Sequence, residues 1–236
     1  MKKIVMMAMM MAIGLSATAQ DEIETTLAAD VVNQYIWRGQ DLGDVSLQPT
    51  LGISYKGLSL TAWGSVGLTD PLDTKEFDLT LSYTTGGLNI GITDYWFDAG
   101  LDPDARYFKY DAHGTNHVFE ANIGYDVGVA SVQWFTNFAG NDGINKDGKR
   151  AYSSYAEVVV PFKLSAIDWT ATVGAVPYAT SFYNDWTSGF AVTNVSLKAT
   201  KEIKVTDSFS IPVFGQVVGN PCTQKAYLVF GFTLQP

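Results

Sequence analysis

Apolar and polar side chains alternate along the chain from about residue 22 to its end. In residues 77–92, for example, one alternating run ends at Gly86 and Gly87, and a second alternating run follows. Alternation with a period of two predicts a β-strand with one apolar and one polar face. A short glycine-rich turn between two such runs predicts a β-hairpin.

Twelve segments of this kind follow one another, with no linker, no low-complexity stretch and no helix-start signal between them. The segments are 22–38, 45–56, 58–68, 76–85, 88–98, 117–127, 129–139, 152–163, 166–177, 190–201, 208–218 and 225–235. The connections alternate between short and long, which is typical of outer-membrane barrels with short periplasmic turns and longer extracellular loops. The sequence therefore predicts one all-β domain, a transmembrane antiparallel up-and-down β-barrel of about twelve strands.

The apolar face of these strands could lie against a soluble core or against lipid. The polar face consists mostly of Thr, Ser, Gly and Asn, and only 17% of the chain is charged, which is little for a solvated surface. Aromatic residues on the apolar face are predicted to form two girdles, as at membrane interfaces. Near the short turns lie Tyr55, Tyr83, Tyr125, Phe162, Trp169 and Phe209, and near the long loops lie Tyr35, Trp37, Phe77, Trp96, Phe119, Trp134 and Phe138. The division of the aromatic residues into two girdles favours lipid over a soluble core as the environment of the apolar face.

The N-terminus has the pattern of a secretory signal peptide. Lys2 and Lys3 precede an apolar stretch that ends at Leu15, and the small residues of 17–19 follow. We therefore predict a signal peptide over residues 1–19 and a mature barrel domain over residues 20–236. With the barrel pattern, this places the protein in the outer membrane of a Gram-negative bacterium.

Charge and cysteine content exclude some classes of protein. Of the 15 Lys and Arg residues, removal of Lys2 and Lys3 leaves 13 against 24 Asp and Glu, a net charge of −11. An acidic chain without a basic stripe is not expected to bind nucleic acid. Cys222 is the single cysteine, so no intramolecular disulfide forms. No cofactor motif is present in the sequence, and none is predicted.

The segment 33–69 contains three short motifs in order: Trp-Arg-Gly at 37–39, Gln-Pro at 48–49 and Trp-Gly-Ser at 63–65. This segment resembles the N-terminal signature of the TorF-type porin family of outer-membrane proteins, and parts of 75–97 and 141–148 are also similar to it. The resemblance implies an outer-membrane β-barrel with a porin-like transport role. It brings no catalytic residues.

Charged residues on the polar face are candidates for lining the barrel lumen. The candidates are Asp30, Arg38, Asp78, Glu120, Glu157, Asp168 and Lys198. Because acids outnumber bases, a pathway through this lumen would favour cations. We predict a passive channel for small polar or cationic solutes. The alternative is a plugged barrel, structural or binding a lipid or partner, in which these charges pair with one another; for Arg38, an ion pair with lumen carboxylates competes with a solute contact.

The longest loop, 98–116, ends next to a histidine and is rich in carboxylates. Candidate metal ligands there are Asp102, Asp104, Asp111, His113 and His117, but their spacing matches no EF-hand or zinc pattern, and a solvated loop is predicted. Loop carboxylates near the membrane surface are also expected to meet lipopolysaccharide through divalent cations. The loop aromatic residues Tyr107, Phe108 and Tyr110 either fold into the barrel mouth or form an exposed patch.

An outer-membrane hydrolase is the rival class. Both histidines belong to the loop region, and Ser153 and Ser154 begin a strand at the same rim, so a Ser-His site is conceivable. No nucleophile motif supports it. The sequence therefore predicts a protein that is not an enzyme and whose partners are membrane lipid, lipopolysaccharide and small solutes or ions.

Overall fold

The structure is a computed structural model that describes residues 23–98, 104–112, 114–184, 189–207 and 209–236, and the predicted signal peptide lies outside these residues. These described residues form fourteen strands: β1 (Glu24–Val32), β2 (Tyr35–Trp37), β3 (Gln40–Gly43), β4 (Ser46–Tyr55), β5 (Leu58–Gly67), β6 (Lys75–Thr85), β7 (Leu88–Asp98), β8 (His117–Asp126), β9 (Ser131–Gly140), β10 (Ser154–Leu164), β11 (Ile167–Val176), β12 (Ala191–Lys204), β13 (Ser210–Asn220) and β14 (Lys225–Leu234). No helix in this part of the chain is long and apolar enough to cross a membrane.

Twelve of these strands form a closed antiparallel barrel, as the alternation predicts. Strands β4 to β14 pair in chain order, and β1 closes the sheet by pairing with β4 on one side and β14 on the other. Short connections such as 56–57 and 86–87 lie at one rim, and the longer ones lie at the other. Closure satisfies the backbone hydrogen bonds of every strand, which an open sheet cannot do.

The first predicted segment, 22–38, is wrong as a single strand. Strand β1 ends at Val32, and the chain then forms the separate two-stranded hairpin β2–β3. Asn33 ends the ladder because its side chain takes over the pairing with β14: the Asn33 Oδ1 accepts from the backbone N–H of Phe230 at 2.7 Å, and its Nδ2 donates to the carbonyl of Leu228 at 3.1 Å. The following residues are thereby released from the barrel wall.

The outer face of the barrel is apolar around its circumference. Exposed large apolar side chains on this face include Leu51, Ile53, Leu60, Leu81, Ile90, Ile92, Ile123, Val132, Val158, Val160, Val173, Val195, Leu197, Val217, Leu228 and Phe230. The two predicted girdles need one correction: Tyr35 belongs to the inward-folded hairpin and is buried, and Trp37 lies in the same hairpin. Both rings are therefore lumen residues.

Two residues depart from the pattern of apolar outward and polar inward side chains, and the structure explains both. Trp63 faces inward because its ring packs against Tyr35 of the hairpin, with ring centroids 5.5 Å apart. Asp94 faces outward, but its carboxylate contacts the His117 ring, 2.7 Å from Oδ1 to Nδ1. Each exception to the alternation thus has a specific partner.

Candidate functional site

The hairpin β2–β3 crosses the barrel lumen near the long-loop rim. Its two-residue turn is Arg38-Gly39, and both residues have positive φ, 50° and 81°. Two successive residues with positive φ are typical of the tightest β-hairpins, in which glycine is favoured and arginine is uncommon. This turn projects the Arg38 side chain away from the barrel wall from which the hairpin starts.

The hairpin contacts the barrel wall on both sides of β1, the strand from which it starts. On one side, the Tyr35 hydroxyl donates to Glu76 Oε2 of β6 at 3.0 Å. On the other side, Ile36 packs in a buried cluster with Val218 of β13 and Val229 of β14. The Arg38 side chain reaches β8, across the barrel from β1, so the hairpin spans the lumen.

The hairpin tip is in close contact with the barrel wall at β12 and β13. The Gly39 carbonyl accepts a hydrogen bond from Asn220 Nδ2 at 3.0 Å. A Cβ atom at Gly39 would overlap the carbonyl oxygen of Thr193 in β12. Glycine is required here both for its backbone conformation and for this close approach.

Arg38 is held by a carboxylate and a set of aromatic rings, which we call the Arg38 cage: Glu120, Phe135, Tyr155 and Tyr183. The guanidinium donates from Nη1 to Glu120 Oε2 at 2.5 Å and from Nη2 to Glu120 Oε1 at 2.9 Å, a bidentate pair. Nη1 also donates to the Tyr183 hydroxyl at 2.5 Å. The guanidinium carbon lies 4.1 Å from the Phe135 ring centroid and 4.8 Å from that of Tyr155.

The Arg38 ion pair is fully inside the protein. Arg38 is 6% exposed and Glu120 is 2% exposed. Burial removes both charges from water, which is costly unless the pair is well hydrogen-bonded, and the bidentate geometry meets that requirement. The ring of Trp37, in the hairpin itself, also contacts the guanidinium group, whose carbon lies 4.3 Å from the ring centroid.

The cage residues are held in place by the barrel wall. Tyr95 of β7 donates from its hydroxyl to Glu120 Oε1 at 2.9 Å. The Tyr155 hydroxyl lies in the space that Gly174 leaves without a side chain, and it accepts from Asn194 Nδ2 at 3.2 Å. These contacts fix Glu120 and Tyr155 independently of the hairpin.

Tyr183 completes the cage from the loop between β11 and β12. Burial raises the pKa of its phenol well above the usual range, so the hydroxyl stays protonated at neutral pH. Its ring stacks against that of Tyr155, with centroids 5.8 Å apart. The loop therefore closes the cage on the long-loop side.

Carboxylates outnumber cations around the hairpin. Glu76 and Asp78 face inward from β6, and Glu157 faces inward from β10, two positions after Tyr155. All three are buried, and Asp78 Oδ1 has no hydrogen-bond partner among the described residues. Carboxyl oxygens in this region could accept contacts from a cation, whereas an anion would find no matching partner among them.

The predicted lumen residues fall into three places. Arg38 and Glu120 form the ion pair, and Asp78 and Glu157 lie on the inward face around the same hairpin. Asp30 and Lys198 are on the lumen wall elsewhere: Asp30 accepts from Thr233 Oγ1 at 2.5 Å, and the Lys198 ammonium lies 3.9 Å from the Phe214 ring centroid. The structure places Asp168 at the short-turn rim, where it is exposed and pairs with Lys163 at 3.2 Å. Asp168 is thus outside the hairpin region.

Several lumen residues were missed in the sequence. Glu76 has the same inward parity as Asp78, so the alternation already contained the signal for it. Phe135 occupies an inward position on β9, whose other inward residues are polar, and Tyr155 lies two positions before the inward Glu157 on β10. Large rings on the polar face of a barrel strand indicate a filled lumen. Tyr183 lies in a loop and gave no such signal.

The described part of the long loop before β8, residues 104–112 and 114–116, folds onto the outer wall of the barrel and does not enter its mouth. Tyr107 packs edge-on against the outward-facing rings of Phe77 and Trp96, with centroids 5.5 and 5.8 Å away. Phe108 is 87% exposed, and Tyr110 is exposed as well. Of the two predicted arrangements, these aromatic residues thus form the exposed patch.

The candidate metal ligands that the structure describes are not gathered into a site. Asp102 and His113 lie outside the described residues, and Asp104 and Asp111 are exposed on the loop. His117 is fully buried, with Nδ1 2.7 Å from Asp94 Oδ1 and Nε2 2.5 Å from the carbonyl oxygen of Tyr107. Within the described ranges, no group of three or more His, Cys, Asp or Glu side chains is arranged to hold a metal ion.

Among the described residues, the serine and histidine candidates do not meet either; His113 lies outside them. Both ring nitrogens of His117 face the oxygen atoms of Asp94 and Tyr107, which leaves neither nitrogen to act as a base. Ser153 is buried, and its backbone N–H donates to the carboxylate of Asp142. His117 therefore does not activate Ser153 in this arrangement.

A cavity of about 460 Å³ lies at the long-loop rim next to the hairpin. It is lined by Phe97, Asn116, Val118, Asn141, Asp142, Gly143, Ile144, Ser181 and Phe182. The Phe182 ring packs edge-on against Trp37 of the hairpin, with centroids 6.3 Å apart. We call this cavity the vestibule.

Comparison with known proteins gives little further information. No family profile matches the sequence, and no curated protein matches it either. A similar solved structure is that of an outer membrane channel from Pseudomonas putida F1, with 11% sequence identity, coverage of 93% of this chain and 98% of that chain, and a TM-score of 0.41. This likeness is too distant to support a function, and the resemblance to the TorF-type family stays a prediction.

Proposed function

We propose that the protein is an outer-membrane channel for small polar or cationic solutes and that the β2–β3 hairpin closes it at the long-loop end. The hairpin across the lumen is the observation that carries this proposal. The proposal also requires the hairpin to move aside so that solutes can pass. We propose no catalytic role.

The outer face supports a location in a membrane. Apolar side chains such as Leu51, Ile90 and Val173 are exposed on strands all around the barrel. In water, so large and continuous an apolar surface would drive aggregation, whereas lipid accommodates it. Together with the predicted signal peptide, this supports the outer membrane of a Gram-negative bacterium.

The chemistry of the lumen supports passage of cations. Glu76, Asp78 and Glu157 are buried around the hairpin, and Arg38 is already paired with Glu120. Buried carboxylates without matched cations lower the energy of a positive solute and raise that of an anion. The lumen near the short turns is lined by small polar residues such as Ser82 and Asn122, which suit hydrated solutes.

A permanently plugged barrel is the second candidate function. The specific observation in its favour is the tight packing of the hairpin tip, where Gly39 lies against the backbone of Thr193 and binds Asn220. In that case, the exposed aromatic residues Phe108 and Tyr110 would contact lipid or lipopolysaccharide, and no solute would pass. Electrical recordings distinguish the two functions.

The test compares currents through two refolded proteins in planar bilayers, both lacking residues 1–19. One is the wild-type sequence. In the other, residues 34–45 are replaced by one glycine, so that Asn33-Gly joins Val32 to Ser46. These two residues pair directly across β1 and β4, and a two-residue turn fits between them.

We expect large, cation-selective conductance steps from the variant without the hairpin and rare or small steps from the wild type. As a matched control, residues 145–149 are replaced by Asn-Gly; this shortens another connection at the same rim, where Ile144 pairs with Arg150. The control should behave like the wild type. Insertion of the hairpin-free barrel without any current would overturn the channel and leave the plugged barrel.

A further inference from the structure

We propose that the Arg38 cage is a binding site for small solutes that carry a guanidinium group, and that Arg38 occupies this site as an internal competitor. The inference rests on the proposed function, because it names the class of solute that would displace the hairpin. The inference is based on three observations: the contacts of Arg38, the position of cage residues in the barrel wall, and the vestibule next to them.

The contacts of the cage match a guanidinium group more closely than an ammonium group. Glu120 accepts two parallel hydrogen bonds, from Nη1 and Nη2, which requires the planar fork of a guanidinium. Phe135 and Tyr155 contact the same planar group through their rings. An ammonium group could satisfy the charge but not both the fork and the ring contacts.

The cage belongs to the barrel and not to the hairpin. Glu120, Phe135 and Tyr155 lie on the neighbouring strands β8, β9 and β10, and Tyr183 lies on the loop after β11. Tyr95 holds Glu120, and Gly174 and Asn194 position Tyr155, all from outside the hairpin. Tyr183 stacks on Tyr155 and also on Trp37 of the hairpin. When the hairpin moves, Trp37 leaves with it, and the wall part of the cage remains.

Arg38 is an imperfect occupant of this site. Its Nε is buried and has no hydrogen-bond partner in the described part of the chain. A buried donor without an acceptor is unfavourable, because its hydrogen bond to water is not replaced. Arg38 is tethered to the hairpin turn and cannot reorient, whereas a small guanidinium solute can turn its remaining N–H groups towards other acceptors.

A solute has a short route to the cage. The vestibule opens at the long-loop rim, and its wall includes Phe182, the residue before Tyr183. Phe182 also packs against Trp37 of the hairpin. A solute in the vestibule is therefore next to both the cage and the hairpin that covers it. Its positive charge is favoured by the buried carboxylates around the site.

The test measures binding of methylguanidinium, with methylammonium as the matched cation, by isothermal titration calorimetry on refolded protein in detergent. Arg38→Ala empties the cage and should bind methylguanidinium at least about tenfold more tightly than methylammonium, since each charge-assisted hydrogen bond is worth about a factor of ten or more. The wild type should bind it at least roughly tenfold more weakly than Arg38→Ala, because Arg38 competes.

Two further variants make the result specific. Arg38→Ala combined with Glu120→Gln should lose the preference for methylguanidinium. Arg150→Ala removes an arginine at the same rim whose guanidinium donates to the carbonyls of Gly140 and Ala112, and it should create no binding site. If Arg38→Ala does not refold, the hairpin-free barrel supplies the same empty cage.

A folded barrel with an empty cage that does not bind methylguanidinium, or that binds methylammonium equally well, would overturn the proposal. The current recordings through the hairpin-free barrel test the channel function separately from guanidinium binding by the cage. Binding without current in the hairpin-free barrel keeps the cage as a site and overturns the channel. Current without binding keeps the channel and overturns guanidinium recognition.

Discussion

The two halves of the barrel lumen differ in what fills them. In the half near the long loops, which we call the hairpin half, the hairpin is packed among buried inward rings such as Trp63, Tyr95 and Tyr155. In the half near the short turns, the turn half, the inward residues of β5 to β8 are small, and many of them are half-exposed. Ser59 and Ser82 share a hydrogen bond of 2.7 Å there, and so do Asn89 and Asn122.

Both halves arise from the same alternation of polar and apolar residues, so alternation alone does not distinguish an open lumen from a closed one. The difference lies in the size of the inward side chains. Small hydroxyl and amide groups leave room for water, whereas aromatic rings at the same parity require a partner in the lumen. Inward aromatic residues therefore indicate which part of a barrel is filled.

The largest expected effect comes from breaking the ion pair of the hairpin half. Glu120→Ala leaves the Arg38 charge buried without its carboxylate, and this should destabilise the folded protein by about 3 kcal/mol. Thermal unfolding of refolded protein measures the change. Glu24→Ala is the control in the turn half: Glu24 is exposed, and only a weak contact of 3.4 Å joins it to Ser54. Equal destabilisation by the two changes would contradict a special role of the buried pair.

A smaller effect is expected at the hairpin tip. Gly39→Ala adds a Cβ that overlaps the Thr193 carbonyl, in addition to strain at φ 81°, and should cost about 2 kcal/mol while loosening the hairpin. Gly86→Ala in the turn half, at φ 53°, meets no atom within 4 Å and should cost about 1 kcal/mol from strain alone. Limited proteolysis of the hairpin should be faster only in Gly39→Ala. If the hairpin is cleaved equally in both variants, close packing does not hold its tip.

The smallest effects compare one hydroxyl from each half. Tyr35→Phe removes the buried hydrogen bond to Glu76 and should cost about 1 kcal/mol. Ser82→Ala removes the bond to Ser59 in the half-exposed lumen, where water can replace it, and should cost less than about 0.5 kcal/mol. Denaturant unfolding of the refolded barrels measures both. A larger cost for Ser82→Ala would mean that the turn half is not solvated.

The closed barrel was largely predictable from the sequence. The period of two, the order of short and long connections and the apolar outer face together predict twelve strands. The hairpin was not predictable in the same way, because Tyr35 and Trp37 continue the alternation of β1. What ends β1 is the side chain of Asn33 bound to Phe230, a contact 197 residues away in sequence that exists only in the closed barrel.

The candidate site was predictable only in part. The alternation of inward and outward residues correctly predicts that Glu120 faces inward. The same alternation predicts an inward Glu76, which was not among the predicted lumen residues. The alternation does not predict the position of Arg38, because Arg38 lies in the turn of the β2–β3 hairpin, which is separate from the barrel wall. The residues of the Arg38 cage lie on three strands and a loop, and these are brought together only when the strands pair in the barrel.

The claim that the hairpin closes the lumen is tested most directly by fixing the hairpin to the wall. Ile36 and Val218 pack in the same buried cluster, so Ile36→Cys and Val218→Cys can be cross-linked with Cys222→Ser to leave a single pair. Glu120→Ala is added to loosen the hairpin, and current is recorded through the same inserted barrels in an oxidant and then in a reductant. We predict that cation current disappears on oxidation and returns on reduction. Unchanged current through barrels whose cross-link is verified by mass spectrometry would contradict closure by the hairpin.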